Sequence, residues 1–320
     1  MTLDKILKEI KKAEKIAIFT HETPDGDAIG SALALKLALK ELKKSTDVVI
    51  PTYSKVFEFL PAIQETVREP IQERYDLAIA VDCGNIKRLA GNENGVYEKS
   101  VVKINIDHHS SNSMFGDYNF INPVSPACCE IIIGMLEYFE IKITQDIATC
   151  IAVGMITDTG GFQYSNVTAE TFEFAAELMR KGVNISDICK KTLDTKTKAN
   201  FELSKIVSNR MEFFEDGKIS FSYITVADEK AVNAEEGDHE GLVNIGRSVE
   251  GVEVSIFIRE REKENANGYK ISLRSNSYVN VSDVAMMFGG GGHIKAAGAF
   301  LQGDVDYVKS KILAEVKKVI

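Results

Sequence analysis

Tryptophan is absent from the 320 residues, and only 6 prolines are spread along them. Proline this sparse excludes a polyproline rod or a proline-rich disordered linker. Nor does any apolar run approach the roughly 20 residues needed to cross a bilayer; the longest, around residues 147–156, is about half that. The first residues, Met1-Thr2-Leu3-Asp4-Lys5-Ile6-Leu7-Lys8-Glu9, interleave charged and apolar side chains. They read as an amphipathic helix and not as a signal peptide. Cysteine is scarce too. The 5 present (Cys83, Cys128, Cys129, Cys150, Cys189) form no C-x-x-C pair and no zinc-finger spacing, which suits small buried side chains in a reducing compartment. A soluble, cytoplasmic protein is expected. Positive charge is also short, with 38 Lys and Arg against 47 Asp and Glu, net −9. That excludes an electrostatic coat for long nucleic acid. A small phosphorylated ligand, held by a few local cations or by metal ions, remains open.

What is present is globular. Hydrophobic residues make up 44% and charged residues 27%, enough to bury a sizeable core, and the length suggests two domains. The first half alternates short β-branched runs with helical periodicity, the pattern of a mostly parallel sheet flanked by helices. Strands are expected at residues 15–20, 76–81 and 101–106, and a helix at 28–44. Helical spacing dominates residues 125–158, 168–180 and 197–214, the last read as a connector. Beyond Asp216-Gly217 come antiparallel strand candidates at 218–226, 252–260 and 269–274, with Asn267-Gly268 as a hairpin signal.

Chemistry-bearing residues gather at the ends of the predicted parallel strands. The first strand runs into His21-Glu22-Thr23-Pro24-Asp25-Gly26-Asp27, the second into Asp82, the third into Asp107-His108-His109. Each alone has a plain reading: an Asp-rich turn caps the following helix, Asp107 caps a loop, His109 packs. Their shared position at carboxyl ends of strands, where ligands bind in open α/β sheets, points to a metal site. Asp158, in Thr157-Asp158-Thr159-Gly160-Gly161-Phe162, ends an otherwise apolar helix. It either closes that helix through the backbone or needs a cation.

These motifs resemble the DHH phosphoesterase superfamily, named for the Asp-His-His seen as Asp107-His108-His109. Its H-x-x-x-D-x-D motif stands as His21, Asp25 and Asp27, its lone strand-end Asp as Asp82, and its D-T-G-x-F as the stretch from Asp158 to Phe162. The run Gly289-Gly290-Gly291-Gly292-His293-Ile294-Lys295-Ala296-Ala297-Gly298 is similar to the GGGH-x-x-AAG signature of the associated DHHA1 domain. Together they resemble the NrnA-type subfamily of nanoRNases and pAp phosphatases. RecJ-type nucleases carry further domains, and family II pyrophosphatases a different C-terminal motif.

The resemblance implies a DHH catalytic domain over residues 1–190, a helical linker over 191–216 and a smaller α/β DHHA1 substrate-binding domain over 217–320, with the active site in the interdomain cleft. It implies two divalent cations, Mn²⁺ first by ligand type with Mg²⁺, Fe²⁺ or Co²⁺ as alternatives. One would be held by His21, Asp25 and Asp82, the other by Asp27, Asp82, His108 and Asp158. Asp107 would orient a histidine. Two divalent ions would balance the four carboxylates Asp25, Asp27, Asp82 and Asp158, and a bridging water would lose its proton and attack phosphorus in line. Charge on the phosphate would then need other donors. His109 is one and Arg274, after Ile271-Ser272-Leu273, another; unaided, a strand-end Arg reads as surface. Gly290, Gly291, Gly292, His293 and Lys295 would clamp the distal end of the nucleotide, although a glycine run alone reads as a flexible turn.

The expected substrates are short RNA oligonucleotides, dinucleotides or pAp, with no membrane and no long nucleic acid, and a homodimer is compatible with the family. The alternative within the chemistry is a pApA or cyclic di-AMP phosphodiesterase; outside it, a non-catalytic nucleotide-binding regulator. Two further stretches read as solvated: His239 with Glu235-Glu236-Gly237-Asp238, and Arg259, Arg261 and Lys263 among glutamates.

Overall fold

A computed structural model describes residues 2–235, 237–261 and 267–320. It divides into two compact units, residues 1–195 and 196–320. The first contains α1 (Thr2–Lys12), β1 (Lys15–Phe19), α2 (Gly26–Glu41), β2 (Ser45–Val49), β3 (Leu77–Val81), α3 (Val96–Lys99), β4 (Val102–Asp107) and β5 (Tyr118–Ile121). It continues with α4 (Cys128–Tyr138), α5 (Gln145–Asp158), α6 (Ala169–Arg180) and α7 (Ile185–Cys189). All five strands are parallel, in the order β2-β1-β3-β4-β5. β1 thus lies between β2 and β3, so the order reverses there and opens a crevice at the carboxyl ends of β1 and β3, where ligands bind in such sheets. The edge strands β2 and β5 escape the sequence pattern because both are short and only half apolar.

The helices α2 and α5 are apolar on nearly every side because they are packed on nearly every side: α2 lies against the sheet, α4 and α5. Their crossing is close. A side chain at Gly154 would run into Cys129 and come within 2.5 Å of Asp27 Oδ1. The apolar run at residues 147–156 is therefore the core of α5; among the described residues no helix is long and apolar enough to cross a membrane.

The second unit holds α8 (Lys198–Asn209), β6 (Glu212–Phe214), β7 (Ile219–Ile224), α9 (Val226–Ala231), α10 (Val243–Arg247), β8 (Val254–Arg261) and β9 (Gly268–Ser275). It ends with α11 (Val281–Met286), β10 (Gly291–His293), β11 (Ala296–Gln302) and α12 (Val305–Val316). Its mixed sheet runs β10-β11-β9-β8-β7-β6. Two expectations are corrected here. Residues 212–214 form a strand and not the end of a helix, because the turn at Asp216-Gly217 folds them back onto β7. β7 and β8 pair in parallel, because the chain between them crosses over through α9 and α10. The helix read as a connector, α8, buries Leu203 and Val207 against Ile224, Leu242, Val243 and Phe257 of this unit.

The region of His239 and Arg259 is also not solvated. Arg259 is buried, and its Nε donates to Glu229 Oε1 at 2.5 Å while Nη1 lies 3.0 Å from His239 Nε2. The guanidinium can only donate, so His239 Nε2 accepts and the ring is neutral. Burial, then Arg259, Lys270 and Arg261, hold His239 down to about 3. Arg261 ends β8 half-buried, while Glu236 and Lys263 lie outside the described residues. The unfolded chain, with an ordinary histidine near 6.5, binds the extra proton between those values. Stability from this group is therefore complete above about pH 6.5 and falls as the pH is lowered toward 3. Urea unfolding between pH 7 and 4.5 should show a larger loss for the parent than for His239→Gln; parallel curves would contradict the assignment.

Candidate active site

His21, two residues past the end of β1, is buried, with Nε2 3.8 Å from Asp82 Oδ2. Asp25 does both things its position suggests. Its Oδ1 caps α2 by accepting from the amides of Asp27 and Ala28 at 3.0 and 3.1 Å, while the carboxylate stays within ligand distance of His21 and Asp82. Asp27, in the first turn of α2, is fully buried and accepts from Cys128 N at 2.6 Å and Cys129 N at 2.9 Å. These amides open α4, so one carboxylate docks a helix N-terminus. Burial and the nearby Asp82 nonetheless push Asp27 up to about 7.

Asp82 sits just past β3 at φ 50, a left-handed conformation unusual for a side chain larger than glycine and typical of functional sites. Its two oxygens face different ways. Oδ2 looks toward His21, and Oδ1 lies 3.3 Å from His108 Nε2 and 3.6 Å from His109 Nδ1. Burial works against its charge, but His108, His109 and His21 together hold it well below the ordinary carboxylate value.

His108 supplies the most informative geometry. Its Nδ1 lies 3.1 Å from the Ser125 carbonyl, which can only accept, so Nδ1 carries the hydrogen. Nε2 faces Asp82 Oδ1 at 3.3 Å, Asp158 Oδ2 at 3.4 Å and Asp27 Oδ2 at 3.7 Å. Without a positive charge on or at Nε2, acceptors would face acceptors in a buried space. Burial would lower the pKa of His108, yet these carboxylates raise it well above the ordinary value, and burial with Asp27 raises Asp158 likewise. Asp82 Oδ1 and His21 Nδ1 are buried without a hydrogen bond. A divalent cation would take the place of the proton that the carboxylates draw onto His108, and a mixed carboxylate and imidazole donor set fits one.

Asp107 stands behind the cluster. Its Oδ1 accepts from His108 N at 2.8 Å and from His109 Nδ1 at 2.7 Å; its Oδ2 accepts from Asn112 Nδ2 at 2.6 Å. Asn112 also reaches Asn105 Oδ1 at 2.8 Å. Burial would lower His109, but Asp107 and then Asp82 raise it. Sequence reasoning missed Asn105, Asn112, the Ser125 carbonyl and the Cys128 and Cys129 amides. Asparagines and backbone groups carry no signal of such a role in the sequence.

The other candidates share a corner of the second sheet. Arg274 lies on β9 opposite Ala296, beside the β10–β11 hairpin, with Nη1 on the Leu273 carbonyl at 3.0 Å. A side chain at Gly290 would strike the Gly298 carbonyl, and one at Gly292, with φ 146, would come within 2.5 Å of Ala296 O. Hairpin packing alone therefore requires both glycines, whereas nothing crowds Gly291. His293 is half-buried at the end of β10, and the Lys295 ammonium donates to the Ser277 carbonyl.

Comparison with known proteins places the chain in a family. Residues 15–155 match the profile described as "DHH family, N-terminal domain", and residues 217–320 that of the DHHA1 domain. A bifunctional oligoribonuclease and PAP phosphatase NrnA from Thermus thermophilus is 34% identical over 319 residues, covering 98% of this chain and 93% of its own. The chain belongs to the DHH phosphoesterase family. As such it is a hydrolase of phosphoester bonds. A DHH relative with the same description from Mycoplasma genitalium is 30% identical over 94% of this chain and 92% of its own. Among solved structures, an exopolyphosphatase-related protein from Bacteroides fragilis superposes with TM-score 0.87 and 29% identity over 99% of this chain and 96% of that one. RecJ from Thermus thermophilus shares the fold, with TM-score 0.58, 13% identity and 99% of this chain matched to 55% of its own.

Asp27 and Asp158 should separate structure from chemistry. Asp27→Ala leaves two buried amides without acceptors and should lower the urea-unfolding stability of the metal-free chain by about 1–3 kcal/mol. Asp158→Ala, which removes repulsion and no amide acceptor, should leave stability equal or higher. Equal losses in both would contradict this.

Proposed function

We propose that this chain hydrolyses very short RNA oligonucleotides, about two to five nucleotides, to nucleoside 5′-monophosphates and pAp to AMP, using two divalent cations, Mn²⁺ by preference. The observation that carries the reading is the Asp82 carboxylate, with one oxygen toward His21 and the other toward His108. In this reading His21, Asp25 and Asp82 hold one ion, and Asp27, Asp82, His108 and Asp158 the other. The groupings of His21, Asp25 and Asp82, and of Asp27, His108 and Asp158, within mutual ligand distance support that division. When bound, the cations supply a hydroxide near neutral pH and offset the charge of the phosphate.

The remaining work falls to the chain. Asp107 fixes His109 through Nδ1, leaving Nε2 to donate to a phosphate oxygen when the ring is protonated. Arg274, His293 and Lys295 supply positive charge, and the Gly290-Gly291-Gly292 backbone amides, for the other end of the nucleotide. The printed activities of the NrnA relatives, oligoribonuclease and PAP phosphatase, support this choice of substrates.

The direct test incubates the purified chain with Mn²⁺ and an equimolar mixture of pAp, pApA, cyclic di-AMP and a short RNA ladder, with a chelated control. Loss of the shortest RNAs and pAp is expected. Rapid loss of cyclic di-AMP with RNA untouched would replace the reading with a signalling phosphodiesterase, and metal binding without turnover would make the chain a regulator. Asp82→Ala should abolish turnover and reduce bound metal, whereas Arg274→Ala should raise KM about tenfold or more with metal content intact. Equal metal loss in both would contradict the division of roles.

A further inference from the structure

The loop between β9 and α11 combines a rigid backbone with an exposed ring. Glu253 is 5% exposed, and its carboxylate takes four backbone hydrogen bonds from this loop. Ser277 N donates to Oε1 and Oε2 at 3.1 and 3.0 Å, and Tyr278 N and Val279 N donate to Oε1 at 2.8 Å each. Asn276 Nδ2 ties the loop to the Arg247 and Val252 carbonyls at 2.9 and 2.8 Å, and Ser275 Oγ to the Val279 carbonyl at 2.7 Å. Val279 is buried on one side of the loop. On the other, the Tyr278 side chain is left 60% exposed. A backbone this fully anchored could turn that ring inward only by breaking the Glu253 contacts.

The surroundings indicate what would cover it. The Lys295 ammonium sits on the Ser277 carbonyl, one peptide from Tyr278. Ser275 N donates to Lys295 O at 3.1 Å, and Arg274 precedes Ser275 on the same strand. Ile294, 58% exposed, accepts from Val281 N through its carbonyl at 2.9 Å. An aromatic face and an aliphatic side chain beside two cations complement a ligand that is flat and apolar at one end and anionic at the other. A nucleobase with its phosphate has that form. A ring held on a rigid loop also loses little freedom when a base stacks on it.

We infer that Tyr278 is the stacking platform for a nucleobase of the substrate and that Glu253 is the positioning residue that holds it there. This rests on the nucleotide-hydrolase reading and adds to it a base subsite that any base can use, since every base offers a stacking face.

The test measures binding by calorimetry to the full, Mn²⁺-loaded chain. The ligands are a dinucleotide whose scissile bridging oxygen is replaced by methylene, and its counterpart lacking the terminal base. The parent protein should bind the base-bearing ligand about tenfold more tightly. Tyr278→Ala should erase that difference and Tyr278→Phe should keep it. Glu253→Ala should erase it too and speed amide hydrogen exchange at residues 277–279. A parent that does not discriminate, or a Tyr278→Ala protein that still does, would overturn the platform; unchanged exchange in Glu253→Ala would overturn the positioning role. Turnover of the hydrolysable dinucleotide is scored separately: discrimination lost in Tyr278→Ala without hydrolysis by the parent would keep the platform and remove the nuclease reading.

Discussion

An imidazole nitrogen turned by a carbonyl so that it meets three carboxylates is the constraint around which the first unit is arranged. The Ser125 carbonyl chooses the tautomer of His108, and Asp27, Asp82 and Asp158 supply the negative wall. Such a cluster is costly in a buried setting unless positive charge enters it. Its cost is offset by the rest of the unit: a parallel sheet whose strand order reverses at β1 and β3, and two apolar helices that bring Asp27 and Asp158 to the same place.

The second unit uses carboxylates differently. Glu253 is buried as deeply as some of the site residues, yet its oxygens are satisfied by backbone amides of one short loop. Asp228 pairs with Arg210 through both oxygens, and Glu229 with the buried Arg259. Buried negative charge is thus matched locally by donors or cations here, while in the first unit it accumulates. That contrast, more than composition, separates a scaffold from a site that takes up ions.

Much of this was legible in the chain. Asp82, His108 and the Asp25–Asp27 turn stand immediately after strand-like runs, and one-sided placement at strand ends is a property of sequence order. The four-glycine motif was visible too, but its geometry was not: packing accounts for Gly290 and Gly292, while Gly289, at φ 71, and Gly291 are left uncrowded. β2 and β5 were invisible because half-polar edge strands carry little periodicity, and the parallel pairing of β7 and β8 because pairing sense depends on the path of the intervening chain. His239 and Arg259 were misread as solvated, since charged residues among glutamates look alike whether they face water or each other. The Ser125 carbonyl and the amides of Cys128 and Cys129 could not be read at all, because every residue carries such groups and only the fold selects which are used.

Asp27 closes the account of the site, because it belongs to two systems at once. The same carboxylate that faces His108 also seats the start of α4. On the ligand assignment proposed above, ion occupancy and the docking of that helix are thermodynamically linked, each changing the other by the same free energy. Apparent ion affinity then becomes a readout of how firmly α4 is held. Any substitution that loosens α4, however far from the reacting phosphate, would then register as changed ion uptake, and removal of the ion as changed docking of the helix.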